Sequence, residues 1–230
     1  MAHATKYINL NFWLLKIYFY QQVMILKKDD LMKKTFQLSV IATALLTANA
    51  YAAVTNIGTG NTATGPDTTV VGTNNAAANT TVVGTENTGT GDSGFTGGTG
   101  NTVNGNWSAV IGNTNTTTGI RSTAIGSDNT TDKDYATAVG NNITVNGQAS
   151  QAVGNNIIVA DNNATAVGGN IDVKGDQASA FGDSVTVNGT GSTAVGSTSQ
   201  AIGEYATSLG YGAQATANNA IATGSNAAAS

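Results

Sequence analysis

The chain has 230 residues, no cysteine and a formal net charge of −4 at pH 7. Beyond residue 52 there are three basic and eleven acidic residues, so this part carries a net charge of −8. Such a charge argues against nucleic acid or an anionic membrane as a partner, because both would repel it. Without cysteine there can be no disulfide, so packing and hydrogen bonds alone must hold the fold together.

Residues 1–31 are rich in Asn, Ile, Lys, Tyr and Phe and contain the single histidine, His3. Two interpretations of this segment are open. It is either a leader extension that precedes the export signal or upstream sequence read from a start codon that was set too early. We favour the second interpretation, with Met32 as the natural start.

Residues 32–52 have the layout of a secretory signal peptide. A basic start at Lys33 and Lys34 is followed by the apolar run Leu38–Leu46, and Ala50-Tyr51-Ala52 supplies small residues for cleavage. The apolar run is too short to span a membrane as a helix. The sequence therefore predicts export, with the product at the cell surface or outside the cell.

The next segment, residues 53–104, consists mainly of Gly, Thr and Asn. Two Thr-Val-Val-Gly boxes end at Gly72 and Gly84, only twelve residues apart instead of fourteen, and the stretch from there to Gly112 is nearly all Gly, Thr and Asn. This pattern predicts an irregular amino-terminal part or cap.

Residues 105–230 repeat a short box of small and apolar residues that ends in glycine. The box returns every fourteen residues, then twice at half that interval, and finally at the full interval again. The box glycines are Gly112, Gly126, Gly140, Gly154, Gly168, Gly182, Gly196, Gly203, Gly210 and Gly224. A strict period of this kind is typical of a solenoid, in which each repeat is one coil stacked on the next. We therefore predict an all-β solenoid of fourteen-residue coils.

Each coil reads as two short strands and two turns. Neighbouring residues of a strand point to opposite faces, so Ala138 and Val139 must lie on different sides although both are apolar. One side fills the interior of the coil. The other needs a second covering, most simply neighbouring copies of the same chain.

The second strand of the coil changes character along the chain. Its alternating positions read Ile143 and Val145 in one coil, and similar apolar pairs follow in the next three. Toward the amino end the same positions read Asn129 and Thr131, and before them Asn115 and Thr117. We expect this end to be wetter and less stable.

One column of the repeat, five residues before the box glycine, suggests a binding site. It holds Trp107, Arg121 and Tyr135 in successive coils, so that stacking would place a guanidinium between two aromatic rings. Two interpretations are open: an exposed platform for a sugar ring or a matrix peptide, or a ladder that only stiffens a corner.

Other chemistry finds little support. Threonines recur three residues before the box glycine, but Gln151 and Ser179 interrupt this array, so ice binding is the weaker alternative. Gly97–Val103 resembles a calcium-binding nonapeptide motif, but the motif occurs only once and Thr102 stands in place of its aspartate. The exported part has no histidine, no cysteine and no recurrent carboxylate pair, so we expect no catalytic residues, no metal site and no cofactor.

The boxes resemble the head repeats of the YadA-like trimeric autotransporter adhesins, commonly written Asn-Ser-Val-Ala-Ile-Gly-x-x-Ser. The closest copies are Ser122–Gly126, Ser192–Gly196, Ser199–Gly203 and Asn219–Gly224. The resemblance implies a left-handed parallel β-roll that forms a homotrimer on a bacterial surface and binds a host matrix protein or glycan. The leading asparagine of the motif is mostly absent here, which argues against collagen as the ligand.

The family also has a heptad stalk and a carboxyl-terminal β-barrel, and this sequence contains neither pattern. We therefore expect a head truncated at its carboxyl end, with no membrane anchor within this chain. The alternative function is a structural remnant that folds but binds nothing.

Overall fold

The computed structural model describes residues 54–230, which form a parallel β-solenoid of about twelve coils. The predicted leader and signal peptide lie outside the described residues. The strands in chain order are β1 (Thr55–Thr59), β2 (Thr62–Thr64), β3 (Thr69–Thr73), β4 (Ala76–Ala78), β5 (Thr81–Thr85), β6 (Thr88–Gly89), β7 (Phe95–Thr99), β8 (Thr102–Val103), β9 (Ala109–Asn113), β10 (Thr116–Thr117), β11 (Thr123–Ser127), β12 (Thr130–Thr131), β13 (Thr137–Val145), β14 (Gln151–Val159), β15 (Thr165–Val173), β16 (Ser179–Asp183), β17 (Thr186–Val187), β18 (Thr193–Val195), β19 (Gln200–Ala201), β20 (Thr207–Leu209), β21 (Gln214–Ala215), β22 (Ile221–Thr223) and β23 (Ala228–Ala229).

Each coil contributes two strands, which pair in parallel with the equivalent strands of the coils before and after it. In β13, β14 and β15 the two strands of a coil run together as one strand of nine residues. The pairing is in register at the predicted fourteen-residue step, as between Ala124 and Ala138. The predicted all-β solenoid of fourteen-residue coils is confirmed.

The regular stack also includes residues 54–104, for which the sequence predicts an irregular part or cap. Strands β1 to β8 pair in the same parallel register, with a single coil of twelve residues between Thr69 and Thr81. The missing two residues come from one corner, because only residues 79–80 separate β4 from β5. The twelve-residue spacing of Gly72 and Gly84 is thus a shortened turn within a continuous solenoid.

The interior of the coil is filled from both strands. Small residues such as Ala138 and Ala152 come from the first strand, and larger ones such as Ile143, Ile157 and Val145 come from the second, all fully buried. Alternation along each strand sends their neighbours outward. The alternating apolar pairs of the second strand therefore point into the interior of the coil.

The amino-terminal half of this interior is polar but dry, contrary to the expectation of a wetter end. A column of asparagines replaces the isoleucines, and its members from Asn75 onward are at most 1% exposed. The column consists of Asn61, Asn75, Asn87, Asn101, Asn115 and Asn129.

Each buried amide is satisfied by the neighbouring coils. Asn115 Nδ2 donates to Asn101 Oδ1 (3.0 Å) and to the carbonyl of Gly126 (2.9 Å), and Asn115 Oδ1 accepts from the backbone N–H of Asn129 (3.0 Å). The column ends where Asn129 Oδ1 accepts from the N–H of Ile143 (3.1 Å). Because donors and acceptors are matched from coil to coil, burial carries no penalty for unpaired groups.

The box glycines occupy a backbone conformation that other residues rarely adopt. Their φ angles lie between +116° and +143° from Gly58 to Gly224. A Cβ atom at Gly154 would overlap the backbone carbonyl of Gly168 in the next coil. The glycine period of the sequence therefore reflects a close backbone approach that repeats in every coil.

Gly203 belongs to a different column. It lies in register with Gly189 and Gly175, at the turn that follows the second strand, and its φ angle is not positive. The coil keeps its fourteen-residue period here, since Thr193 pairs with Thr207. The half-interval in the sequence arises because Gln200–Gly203, in the second half of the coil, has the same pattern as a box.

We predict that Asn115→Ala lowers the free energy of unfolding by roughly 3 kcal/mol, because it leaves several buried hydrogen-bonding groups unpaired. Asn141→Ala is the matched control. Its side chain is exposed, although it also hydrogen-bonds to an asparagine fourteen residues away, so we expect a change below about 0.5 kcal/mol. Urea denaturation of the full chain measures both. Equal losses in the two variants would contradict the buried role of the column.

Adjacent glycines allow a second test. Gly168→Ala places a Cβ against the carbonyl of Gly182 at a φ of +140°, so we expect a loss of at least about 3 kcal/mol or failure to fold. At Gly169 a Cβ meets only the mobile carboxylate of Asp183, so Gly169→Ala should fold with near-normal stability. Circular dichroism and thermal denaturation distinguish the two outcomes. A stable Gly168→Ala protein would show that the close approach is not required.

Candidate functional site

The predicted site residues lie at equivalent corners of three successive coils. Trp107 lies between β8 and β9, Arg121 between β10 and β11, and Tyr135 between β12 and β13. All three have left-handed backbone angles, with φ of 55°, 56° and 61°. Their backbones are also linked: the N–H of Tyr135 donates to the carbonyl of Ile120 at 2.9 Å. The equivalent corners of successive coils therefore stack directly on one another, and the three side chains lie in one column.

The structure brings the three side chains together as a stack. The Arg121 guanidinium carbon lies 5.3 Å from the centre of the Trp107 ring and 5.8 Å from that of Tyr135. Arg121 also donates a hydrogen bond to the Tyr135 hydroxyl at 3.0 Å. Both distances fall within the range of cation–π attraction. Trp107 is 56% exposed and Tyr135 49% exposed, so the stack presents much of its surface to solvent.

Buried serines fix the backbone directly beside the stack. Ser122 Oγ donates to the carbonyl of Lys133 (2.8 Å) and accepts from the N–H of Ala136 (3.1 Å). Ser108 makes the equivalent pair of bonds one coil earlier, to Gly119 and Ser122. These hydrogen bonds join each corner to the next, so the exposed side chains stand on a rigid base.

The charge of Arg121 has no carboxylate partner. Among residues 54–230 the one ion pair within 4.0 Å joins Lys174 to Asp172, at 2.6 Å. Asp134 lies near the stack in sequence, but its carboxylate accepts the backbone N–H of Ile120 at 2.8 Å. At the other corner of the coil, hydrogen bonds from Thr114 and Ser127 lower the pKa of Asp128. The Arg121 guanidinium is thus a free cation in an acidic chain.

A second exposed feature is a line of apolar side chains on the outward side of the first strand. Its large members are 37% to 58% exposed. They are Ile57, Val83, Ile111, Ile125, Val153, Val167, Phe181, Val195 and Leu209. We call this line the outer apolar column. Strand pairing places its members in register on successive coils, as for Val153 and Val167.

Further residues belong to the same surroundings. Tyr205 lies in the corner column of the stack, is 61% exposed and has its ring beside Gly191. Counting fourteen-residue steps onward from Tyr135 reaches this tyrosine, so the repeat itself is the signal that identifies it. The threonines considered for ice binding, such as Thr123 and Thr137, are half-buried beside the outer apolar column.

Within residues 54–230 no group of three or more His, Cys, Asp or Glu could hold a metal ion. Over the same range, no helix is long and apolar enough to cross a membrane.

Comparison with known families agrees with this geometry. The family model of the YadA head domain repeat, which contains two copies, matches residues 118–142, 174–199 and 201–227. Residues 118–227 therefore contain YadA-like head repeats. The same coil register also covers residues 54–117 and 143–173, which the family model does not match.

The YadA head is an adhesin-type module of trimeric autotransporters, which are exposed on the cell surface, and it is a structural rather than a catalytic module. No curated protein matches this chain. Arg121 and Tyr135 lie within the matched head repeats, whereas Trp107 precedes them.

We predict that Arg121→Gln lowers the free energy of unfolding by about 1 to 2 kcal/mol, because two cation–π contacts are lost at a partly exposed position. Lys133→Gln removes the same charge from an exposed residue outside the stack and should change stability by less than about 0.5 kcal/mol. Thermal denaturation of the full-length variants measures both effects. If the two variants were equally stable, the stack would contribute nothing to the fold.

Proposed function

We propose that this chain is a trimeric adhesin head that attaches a bacterium to host extracellular matrix or host cells. The observation that carries the proposal is the outer apolar column, which runs along most of the solenoid and has no cover within its own chain. Continuous exposed apolar surface of this kind marks an interaction site. The outward direction of these residues repeats in every coil, so the partner must match the period of the solenoid.

A second and a third copy of the same chain fit that requirement best. They have the same rise per coil, so the apolar columns of three parallel solenoids remain in contact along their whole length. The match to the YadA head repeat supports this assembly, since those heads belong to trimeric autotransporters. The left-handed β-roll expected from the resemblance is part of the same proposal.

The stack of Trp107, Arg121 and Tyr135 is the proposed ligand-binding site. Its rings are exposed, its cation is unpaired and its backbone is held by buried hydrogen bonds. A trimer would present three copies of the stack at fixed spacing. Many weak contacts made at the same time would then together give strong attachment, through multivalency. The signal-peptide pattern of residues 32–52 supports a location outside the cell.

Light scattering on the purified full chain tests the assembly. We expect the mass of a trimer, and we expect Val153→Lys to dissociate it because a charge in the outer apolar column cannot be buried between chains. Thr144→Lys is the matched control, since it adds the same charge to the outward side of the second strand. A monomeric parent chain, or a Val153→Lys protein that remains trimeric, would contradict the proposed interface.

Binding of the same proteins to immobilised matrix proteins and to cultured cells tests the adhesin role. Trp107→Ala should weaken attachment while the trimer mass stays unchanged. A folded trimer that attaches to nothing would instead favour the structural remnant, and thermal hysteresis in solution would favour ice binding.

A further inference from the structure

Arg121 is held in a way that restricts what it can bind. A guanidinium is planar and offers two faces and an edge of N–H donors. The guanidinium carbon of Arg121 lies between the rings of Trp107 and Tyr135, at 5.3 Å and 5.8 Å from their centres. The N–H donors on its edge are the groups that can hydrogen-bond to a ligand.

Most of that edge is unused. One nitrogen donates to the Tyr135 hydroxyl at 3.0 Å, which leaves the majority of the five N–H donors without a side-chain partner. No carboxylate of residues 54–230 lies within 4.0 Å of Arg121. A rigid fork of donors in one plane matches a carboxylate, which accepts two parallel hydrogen bonds.

The remainder of the stack suits a sugar. Trp107 and Tyr135 are 56% and 49% exposed, and the next residues of the corner column, Ser93 and Ala149, are small. The outer parts of both rings are therefore not covered by large neighbours in their own column. Three coils separated by the strand spacing span about 10 Å, a length comparable to that of a short oligosaccharide. Aromatic surface on both sides of an arginine combines apolar contact with recognition of one charge.

We propose that the stack binds the carboxylate of an acidic glycan, with Arg121 as the bidentate donor and the Trp107 and Tyr135 rings against the neighbouring sugar rings. This inference rests on the proposed ligand-binding role of the stack and adds the chemical class of the ligand. The net negative charge of the surrounding chain repels anionic polymers in general, so binding requires the direct hydrogen bonds of Arg121 to the carboxylate.

The test uses the full chain and polysaccharides of known chemistry. Biolayer interferometry would compare immobilised hyaluronan, which carries uronic acid carboxylates, with polysialic acid, carboxyl-reduced hyaluronan and neutral dextran. We expect binding to at least one of the two acidic polymers, and the polymer that binds identifies uronate or sialate as the source of the carboxylate. Carboxyl-reduced hyaluronan should bind no better than dextran.

Two variants of Arg121 distinguish the contribution of the planar guanidinium donors from that of the positive charge. Arg121→Gln should weaken binding to the acidic polymer by at least roughly tenfold, since a hydrogen-bonded charge is lost. Arg121→Lys retains the charge but loses the planar fork, and it should also bind more weakly. Lys133→Gln removes a nearby charge outside the stack and should bind like the parent chain. Light scattering confirms that each variant keeps the mass of the parent assembly.

The inference is overturned if neither acidic polymer binds, if the carboxyl-reduced polymer binds as well as hyaluronan, or if Arg121→Lys retains full affinity. Its failure can be distinguished from failure of the adhesin role. A chain that attaches to host cells through Trp107 but binds neither acidic polymer remains an adhesin with a different ligand. Loss of both activities would overturn both proposals.

Discussion

The close approach of each box glycine to the carbonyl of the equivalent glycine in the next coil determines the rest of the structure. That approach leaves no room for a Cβ and requires φ angles near +120° to +140°, which glycine adopts without strain. It fixes the register of the first strand, and through the turns it fixes the second. Columns of identical chemistry, whether asparagine, serine, apolar or aromatic, follow from this register alone.

One column of interior side chains is polar in the amino-terminal coils and aliphatic in the later coils. In the amino-terminal coils asparagine amides bond to one another and to the backbone, and from Ile143 onward aliphatic side chains fill the same space. Both solutions are dry and fully packed, but the amide column is also directional, since each asparagine must meet its partner in the next coil. If the strands of the aliphatic half paired one coil out of register, each side chain would meet a similar side chain. If the same error occurred at the junction of the two halves, the amide of Asn129 would lose its hydrogen-bond partners. The polar half thereby specifies the register.

Much of this architecture could be predicted from the sequence because glycine spacing reports backbone geometry directly. The fourteen-residue coil, the common side of Ile143 and Val145, and the stacking of Arg121 between two rings all follow from counting along the repeat. The character of the amino-terminal half could not be predicted in the same way. Asparagine is a polar residue that usually lies at the surface. Only the asparagine fourteen residues away, which hydrogen-bonds to Asn115, shows that this side chain is buried with its hydrogen bonds made. The twelve-residue step at Gly84 misled for a similar reason, since a shortened corner alters the period without altering the register.

The two proposed functions, assembly and ligand binding, belong to two different outward surfaces. The outer apolar column is suited to sister chains, and the corner stack is suited to a ligand. Both depend on the same rise per coil, because the period that aligns Val153 with Val167 also places Arg121 between its two rings. A change that disturbed the register would therefore affect assembly and binding together, whereas Trp107 and Val153 can be altered separately.

The continuous register of the amino-terminal coils is the part of this account that departs furthest from the sequence pattern, and paired cysteines test it directly. The chain has no cysteine of its own, so any disulfide reports only the introduced pair. Thr88 and Thr102 are register partners on adjacent strands, about 4.8 Å apart, a separation that a disulfide can bridge. Non-reducing mass spectrometry of the Thr88→Cys/Thr102→Cys protein should show an intramolecular disulfide, and Thr88→Cys/Thr116→Cys, two coils apart, should show none. Free thiols in the first variant, or a disulfide in the second, would contradict the continuous solenoid.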